Sequence, residues 1–465
     1  MAWIGKWFNT SDFKWLNYSK QVTLNPNQKE RKAFEEEAAD NASAQFAKTC
    51  LVLHAYQLFC DSIVLANLLP VSQEVKGQFY FVKFKTTMEA LVKSYNEVCM
   101  KLYQKLIEDN DQNIAFSPWS IAAAVTMVYV GTKGNTEVQM SENTGTVHIQ
   151  NIPRAFEELF SNVNQRRNQF ILKTANRLYS EKSFHIVQQY QQLIKKHFRA
   201  EIQAVDFAQK AEDVRNKINT WVEEQTESKI KDLLPQDSVD SLTKLVLVNA
   251  LYFKGNWDVK FPEENTEQKP FRLSKTKTKM VPMMFQRNKY NMFYIEELET
   301  KVLELPYVNK ETSMIILLPD DIKDNTTGLE KLQKELNYVN LKEWTSADGM
   351  MLTEVELELP RIRLEENYDL KSYLSKMGMS DLFNPEKADL TGISEKGNLY
   401  VSQIFHKVFV DINEEGTEAA AATGAIATVR SGPIVVKVKA DHPFLFIIRH
   451  NKTKAILFFG AFTSP

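Results

Sequence analysis

The sequence predicts a fold that combines strands and helices on three observations. Leu245–Phe253 is a near-continuous apolar run, the pattern of a strand buried on both faces. Val408–Ile412 and Phe444–Ile448, nearer the C-terminus, are also strongly strand-like. A helical pattern opens at Ser117 and Ser120, whose hydroxyls suit a helix start. With 43% hydrophobic residues and a net charge of −2 over 465 residues, the composition excludes disordered, collagen-like and polybasic nucleic-acid-binding chains.

In chain order, the first 87 residues stand apart. Three of the seven tryptophans fall there, at Trp3, Trp7 and Trp15, and no signal-peptide h-region with a small-residue cleavage site is visible. The most apolar stretch, Leu51–Leu69, is broken by His54, Gln57, Asp61 and Asn67, whereas a membrane span needs roughly 20 apolar residues with few charges. The clusters Lys195–Arg199 and Lys275–Lys279 are short and read as solvated faces rather than polyanion sites. Cys50, Cys60 and Cys99 are too few for a disulfide framework and point to a reducing compartment, hence a cytoplasmic location, with release from the cell without a signal peptide as the alternative. The sequons at Asn9, Asn17, Asn41, Asn325 and Asn451 are expected to be silent there.

Two strand-like segments carry polar interruptions. Asn249 sits inside the apolar run, where a lone amide without partners costs about 1–3 kcal/mol. His406 stands at the head of the segment Lys407–Ile412 and poses the same question. Taken alone, it reads as a satisfied core histidine, Ser117 and Ser120 read as helix caps, and Trp257 as an ordinary core tryptophan.

The stretch Glu414–Thr423, EEGTEAAAAT, is open between two readings. Its alanines favour a helix, with Gly416 or Thr417 as N-cap. As a strand, it would place Thr417, Ala419, Ala421, Thr423, Ala425 and Ala427 on one small, uncharged face, with Glu418 on the other. A strand entering a crowded sheet needs such a face, because a buried unpaired charge is costly.

The run EEGTEAAAATGA and the tail HPFLFIIRHNKTKAILFFGAFTSP resemble the hinge, reactive-centre loop and closing strands of a serpin of the ovalbumin-like intracellular clade, clade B. FSPWSIAAAVTMVYVGTKGNT (Phe116–Thr136), ANRLYSEKSF (Ala175–Phe184), INTWVEEQTESKIKDLLP (Ile218–Pro235), LVLVNALYFKGNW (Leu245–Trp257) and VLELPYV (Val302–Val308) also match, in family order. The resemblance runs from Met88 to Pro465 and leaves residues 1–87 as an extension of unknown structure. It implies an α+β fold, the serpin fold, with about nine helices, three β-sheets and a mobile reactive-centre loop above a central sheet. Two departures are visible. Ala461 follows Gly460 where the family usually has a basic residue, and the connection after Met140 lacks the long interhelical loop of some clade relatives.

The resemblance further implies suicide inhibition of proteases. Glu414, Glu415, Gly416, Thr417, Glu418, Ala419, Ala420, Ala421, Ala422 and Thr423 match the hinge. Counting from Gly416 and from the tail alike sets the scissile bond between Arg430 and Ser431, which suits trypsin-like serine proteases. Cysteine proteases that accept arginine are a further partner class. Ser117, Ser120, Asn249 and His406 match the shutter beneath the central sheet, and Trp257 the breach at its top. A monomer is expected, with no metal, cofactor, nucleic acid or membrane partner. A non-inhibitory serpin is the alternative, against which the small hinge residues weigh. An enzyme is disfavoured, since the seven histidines form no HExxH motif or Cys/His metal spacing and no GxSxG elbow occurs.

Overall fold

The computed structural model describes residues 73–108, 110, 112–163, 170–415 and 435–465. The chain divides into two units, Met1–Val82 and Lys83–Pro465. Of the first, only residues 73–82 are described, as the opening of helix α1, Gln73–Glu108. Gly416–Thr423, Arg430 and Ser431 lie outside the described residues.

Beyond α1 come β1 (Ile114–Phe116), α2 (Pro118–Tyr129), α3 (Gly134–Thr144), α4 (Ile152–Val163), β2 (Phe170–Glu181), α5 (Gln188–Phe198), β3 (Glu201–Val205), α6 (Phe207–Gln225) and β4 (Leu245–Gly255). Then follow β5 (Glu267–Arg272), β6 (Thr278–Ile295), β7 (Thr300–Pro306), β8 (Thr312–Pro319), α7 (Glu330–Glu335) and α8 (Tyr338–Trp344). The chain closes with β9 (Met351–Pro360), β10 (Ile362–Asp369), α9 (Lys371–Lys376), β11 (Val401–Ile412), β12 (Val436–Lys439), β13 (Phe444–His450) and β14 (Ala455–Phe462). The fold is α+β, with nine α-helices among the described residues.

Hydrogen bonds join the strands into two sheets. The five-stranded sheet has the order β10-β11-β4-β2-β3. The nine-stranded one runs β1-β14-β13-β8-β7-β6-β9-β12, with β5 beside β6. The third strand group implied by the sequence is fused to it: the 18-residue β6 pairs with β5 at one end, β9 through its middle and β7 at the other end.

The apolar run behaves as expected. Along β4, Leu245, Leu247, Leu251 and Phe253 enter the main core, while Val246, Val248, Ala250 and Tyr252 enter a second cluster on the other face. Helix α6 seals that second face with Phe207, Val214, Ile218 and Val222. It starts at Asp206, which caps the Gln209 N–H, and the buried Glu181 carboxylate accepts from the Phe207 and Ala208 N–H groups, a favourable place for negative charge. Helix α4 buries Ile152, Ala155, Phe156, Leu159, Phe160 and Val163, one continuous stripe at helical spacing.

The C-terminal strands are anchored on both sides. β14 pairs antiparallel with β13 and with β1, and Ala461 is buried between Leu445 and Ile114. At the neighbouring Gly460 a Cβ would come within 2.4 Å of the Ile114 carbonyl oxygen and 2.6 Å of the Phe446 ring. Gly460→Ala is therefore expected to lower stability by about 1–3 kcal/mol, the usual cost of overpacking, measured as a shift in the denaturation midpoint.

Candidate functional site

Strands β4 and β11 run parallel, and their register sets Asn249 directly opposite His406. The neighbouring pairings are antiparallel and bring Tyr368 of β10 opposite His406 and Asn176 of β2 opposite Asn249. A row of four polar side chains, Tyr368–His406–Asn249–Asn176, thus crosses the sheet. His406 lies in the middle of a 12-residue strand, not at its head as expected, because the strand begins at Val401.

Helix α2 closes over this row. Ser117 is its N-cap, with extended backbone (φ −109, ψ 100), and its hydroxyl accepts from the Ser120 N–H at 3.2 Å. Pro118 occupies the first turn, where its missing N–H costs nothing. The cap's own N–H donates to His406 Nε2 at 3.0 Å. Nε2 is therefore unprotonated, and Nδ1 carries the proton that it donates to Asn249 Oδ1. Asn249 Nδ2 donates to the Ser120 hydroxyl at 2.5 Å, to the Ser120 carbonyl at 3.2 Å and to Asn176 Oδ1. The Tyr368 ring lies nearly parallel to the imidazole, 16° apart, and its hydroxyl accepts from the Ala115 N–H. Ser117, Ser120, Asn249 and His406 are all fully buried. The structure brings these four together; Ser117 caps α2 as the capping reading expects, whereas Ser120 lies within the first turn and its hydroxyl serves Asn249 instead.

Burial pushes the His406 imidazole down to about 3, so it stays neutral through the physiological range. At the strand end, Trp257 is buried, stacked on Tyr307 with centroids 4.6 Å apart, and donates from Nε1 to the Asn413 carbonyl at 2.8 Å. Trp257 thus holds the backbone one residue beyond β11. Glu414 follows, with its side chain 4% exposed. It accepts from the Thr266 hydroxyl at 2.5 Å and from Arg361 Nε at 2.8 Å. Burial works against the charge, yet the Thr266 hydroxyl and the Arg361 guanidinium hold the Glu414 carboxyl below its ordinary range. Glu415 pairs with Lys254 at the end of β4. Of the ten residues expected to form a hinge, Glu414 and Glu415 are the two among the described residues.

Sequence reasoning missed Asn176, Tyr368, Thr266, Lys254, Tyr307 and Arg361. Asn176 had a usable signal, an amide inside a strand-like segment, as at Asn249. For the others, whose partners lie far away in the sequence, there was no local sign. Among the described residues, no group of three or more His, Cys, Asp or Glu could hold a metal, and no helix is long and apolar enough to cross a membrane.

Fold and site together define an α+β protein whose central sheet has a parallel seam between β11 and β4, latched by buried polar groups and continued by a segment clamped at its base. The sequence profile of the serpin (serine protease inhibitor) family matches residues 93–465, and the chain belongs to that family. It is 49% identical to the leukocyte elastase inhibitor of Equus caballus over 379 residues, covering 81% of this chain and all of that one. It is 46% identical to serpin B10 of Bos taurus over 403 residues, with the same coverage. Among solved structures, maspin superposes with a TM-score of 0.76 at 35% identity over 82% of this chain and all of that one. Uncleaved ovalbumin superposes with a TM-score of 0.75 at 33% identity over 81% of this chain and all of that one. These relatives put the chain with the ovalbumin-like clade B serpins.

The neutral histidine sets a pH dependence. An imidazole held at about 3 in the folded chain and near 6.5 unfolded binds its proton in the unfolded state first, so stability falls as pH drops below about 6.5. By pH 5 the loss is about 2 kcal/mol. Burial, and secondarily Lys452, depress His450 to about 4, which adds in the same sense. Glu366, raised to about 7 by burial and by Glu365, opposes both in this window. The readout is therefore a difference: between pH 7 and 5 the denaturation midpoint of His406→Gln should fall less steeply than that of the native chain.

Proposed function

We propose that this serpin inhibits trypsin-like serine proteases by trapping them, with cleavage between Arg430 and Ser431. One observation carries the reading: β4 and β11 are parallel neighbours, and the segment with the small hinge residues leaves from the end of β11. A chain that folds back there runs antiparallel to both strands. Its entry would replace one parallel ladder by two antiparallel ones, which are slightly more stable per residue. Strand addition of this kind is an established way for such loops to release stored strain.

The protease serine would attack the Arg430 carbonyl, the amine of Ser431 would leave with a proton, and Arg430 would remain esterified to the enzyme. Insertion of residues 416–430, about 3.3 Å each, would carry the enzyme roughly 50 Å. Its catalytic geometry is sensitive at the ångström scale, so distortion there would preserve the ester. Ser117, Ser120, Asn249 and His406 lie on the seam that must part, and Trp257 and Glu414 at its mouth; this supports the shutter and breach roles. The equine relative is named for inhibiting elastase, which favours inhibition as the activity. Arginine at the cleaved position, in contrast, suits a pocket with an aspartate at its base, where elastase has a small one. Cysteine proteases that accept arginine are a second target class within the same proposal. Residues 88–465 are the serpin domain in this reading, monomeric and cytoplasmic.

Mixed with trypsin at rising molar ratio, the protein should give an SDS-stable band at the summed mass and a released fragment beginning at Ser431. Cleavage at that bond without the band would make it a substrate-type serpin. Thr417→Arg should abolish the band while leaving cleavage intact, because a charge would have to enter the sheet. Arg430→Ala should remove activity toward trypsin with little change in thermal stability; undiminished inhibition would refute the Arg430 assignment.

A further inference from the structure

β3 covers β2 only from Arg177 to Glu181, so among the described residues no strand flanks the β2 edge before Arg177. Against Thr174, Asn176 and Arg177 at this edge lies a half-open cavity of about 580 Å³, lined also by α4, the end of α5 and α6. That size falls within the ~300–1,000 Å³ of small-molecule sites. Phe160 and Phe198, both buried, and Trp221 form its apolar walls.

Its polar lining is strongly one-signed. Arg177, Lys195 and Arg199 face Glu201 alone. Glu201 is already paired with Arg177 at 3.2 Å, and the guanidinium also lies 4.1 Å from the centroid of Trp221. The side chains of Lys195 and Arg199 are exposed and make no ion pair or hydrogen bond with a described residue. This is the same basic cluster that reads from sequence as a solvated face. Here two of its charges stand at the rim of an aromatic-walled cavity, where a cation has an unfilled electrostatic role.

We propose that this cavity is a binding site for an amphipathic organic anion, its flat apolar body between Phe160, Phe198 and Trp221 and its acidic head at Lys195 and Arg199. The site is separate from the loop, and its existence does not rest on the inhibitory reading. Its floor includes Asn176, whose Oδ1 receives the Asn249 amide, so an occupant would sit one hydrogen bond from the buried row.

Naphthalene-2-sulfonate, titrated calorimetrically into the full-length chain, tests this. One saturable site per chain is expected, weakened at least about tenfold by Lys195→Glu with Arg199→Glu. Both side chains are exposed, so the double variant should fold, and an unchanged melting temperature would verify it. The same charge change at Lys275→Glu with Lys277→Glu should leave binding unaltered. Neutral 2-naphthol and inorganic sulfate should each bind at least about tenfold more weakly than the sulfonate. Absence of saturable binding, equal affinity in the Lys195/Arg199 double variant, or equal affinity for sulfate or naphthol would each overturn the proposal.

Discussion

The parallel contact between β4 and β11 is the constraint around which the rest of this structure is arranged. Both strands are buried on both faces, so their pairing cannot be relaxed from outside. At its middle the apolar packing gives way to one imidazole facing one amide, His406 opposite Asn249. Unsatisfied, either group would cost about 1–3 kcal/mol, and the low local dielectric makes such a network strong when complete and costly when broken. Completeness comes from elsewhere: at the start of α2 the Ser117 cap supplies an N–H to His406, and Ser120 supplies two acceptors to Asn249. The helix start and the seam therefore depend on each other. Moving one strand without the other orphans several buried groups at once.

The neutral imidazole is essential to that arrangement. With Nε2 accepting and Nδ1 donating, each ring nitrogen meets a group of opposite character. A protonated ring would point a hydrogen at the Ser117 N–H and bring an unpaired charge into a fully buried place. The strong downward displacement of His406 and the geometry of its partners have the same cause. Tyr368 extends the row toward β10, and Asn176 extends it toward the β2 edge, so the row spans four of the five strands.

At the mouth of the seam the interactions differ in kind. Trp257 and Glu414 hold the chain just past β11 through one backbone hydrogen bond and one buried carboxylate. Glu414 has a partner in Thr266, 148 residues earlier, and another in Arg361, 53 residues earlier. Glu414 is buried while Arg361 is half-exposed, so losing the arginine would leave the carboxylate buried without its counter-charge.

Much of this was legible in the amino-acid sequence. The run Leu245–Phe253 announced a strand buried twice over, because only burial on both faces removes the alternation of polar positions. Asn249 and His406 were marked as polar groups in apolar surroundings, and the ordered family motifs joined them to Ser117 and Ser120. Local pattern could not say that Asn249 and His406 face each other. Register between strands about 150 residues apart is set by how the whole sheet packs, not by either strand. For the same reason His406 was misplaced at a strand head: the residues before it, Val401–Phe405, pair by tertiary context. Arg361, Thr266 and Lys254 were invisible, since an exposed-looking polar residue gains meaning only from the carboxylate brought to it. The cluster Lys195–Arg199 shows the same limit: its charge and Phe198 are written in one stretch of sequence, whereas the other two aromatic walls, Phe160 and Trp221, come from α4 and α6. What the sequence by itself determined was the fold family and the chemical kinds of residue that a seam needs. Only the tertiary structure decided which meet, because hydrogen bonds and ion pairs require distances that the linear chain does not contain.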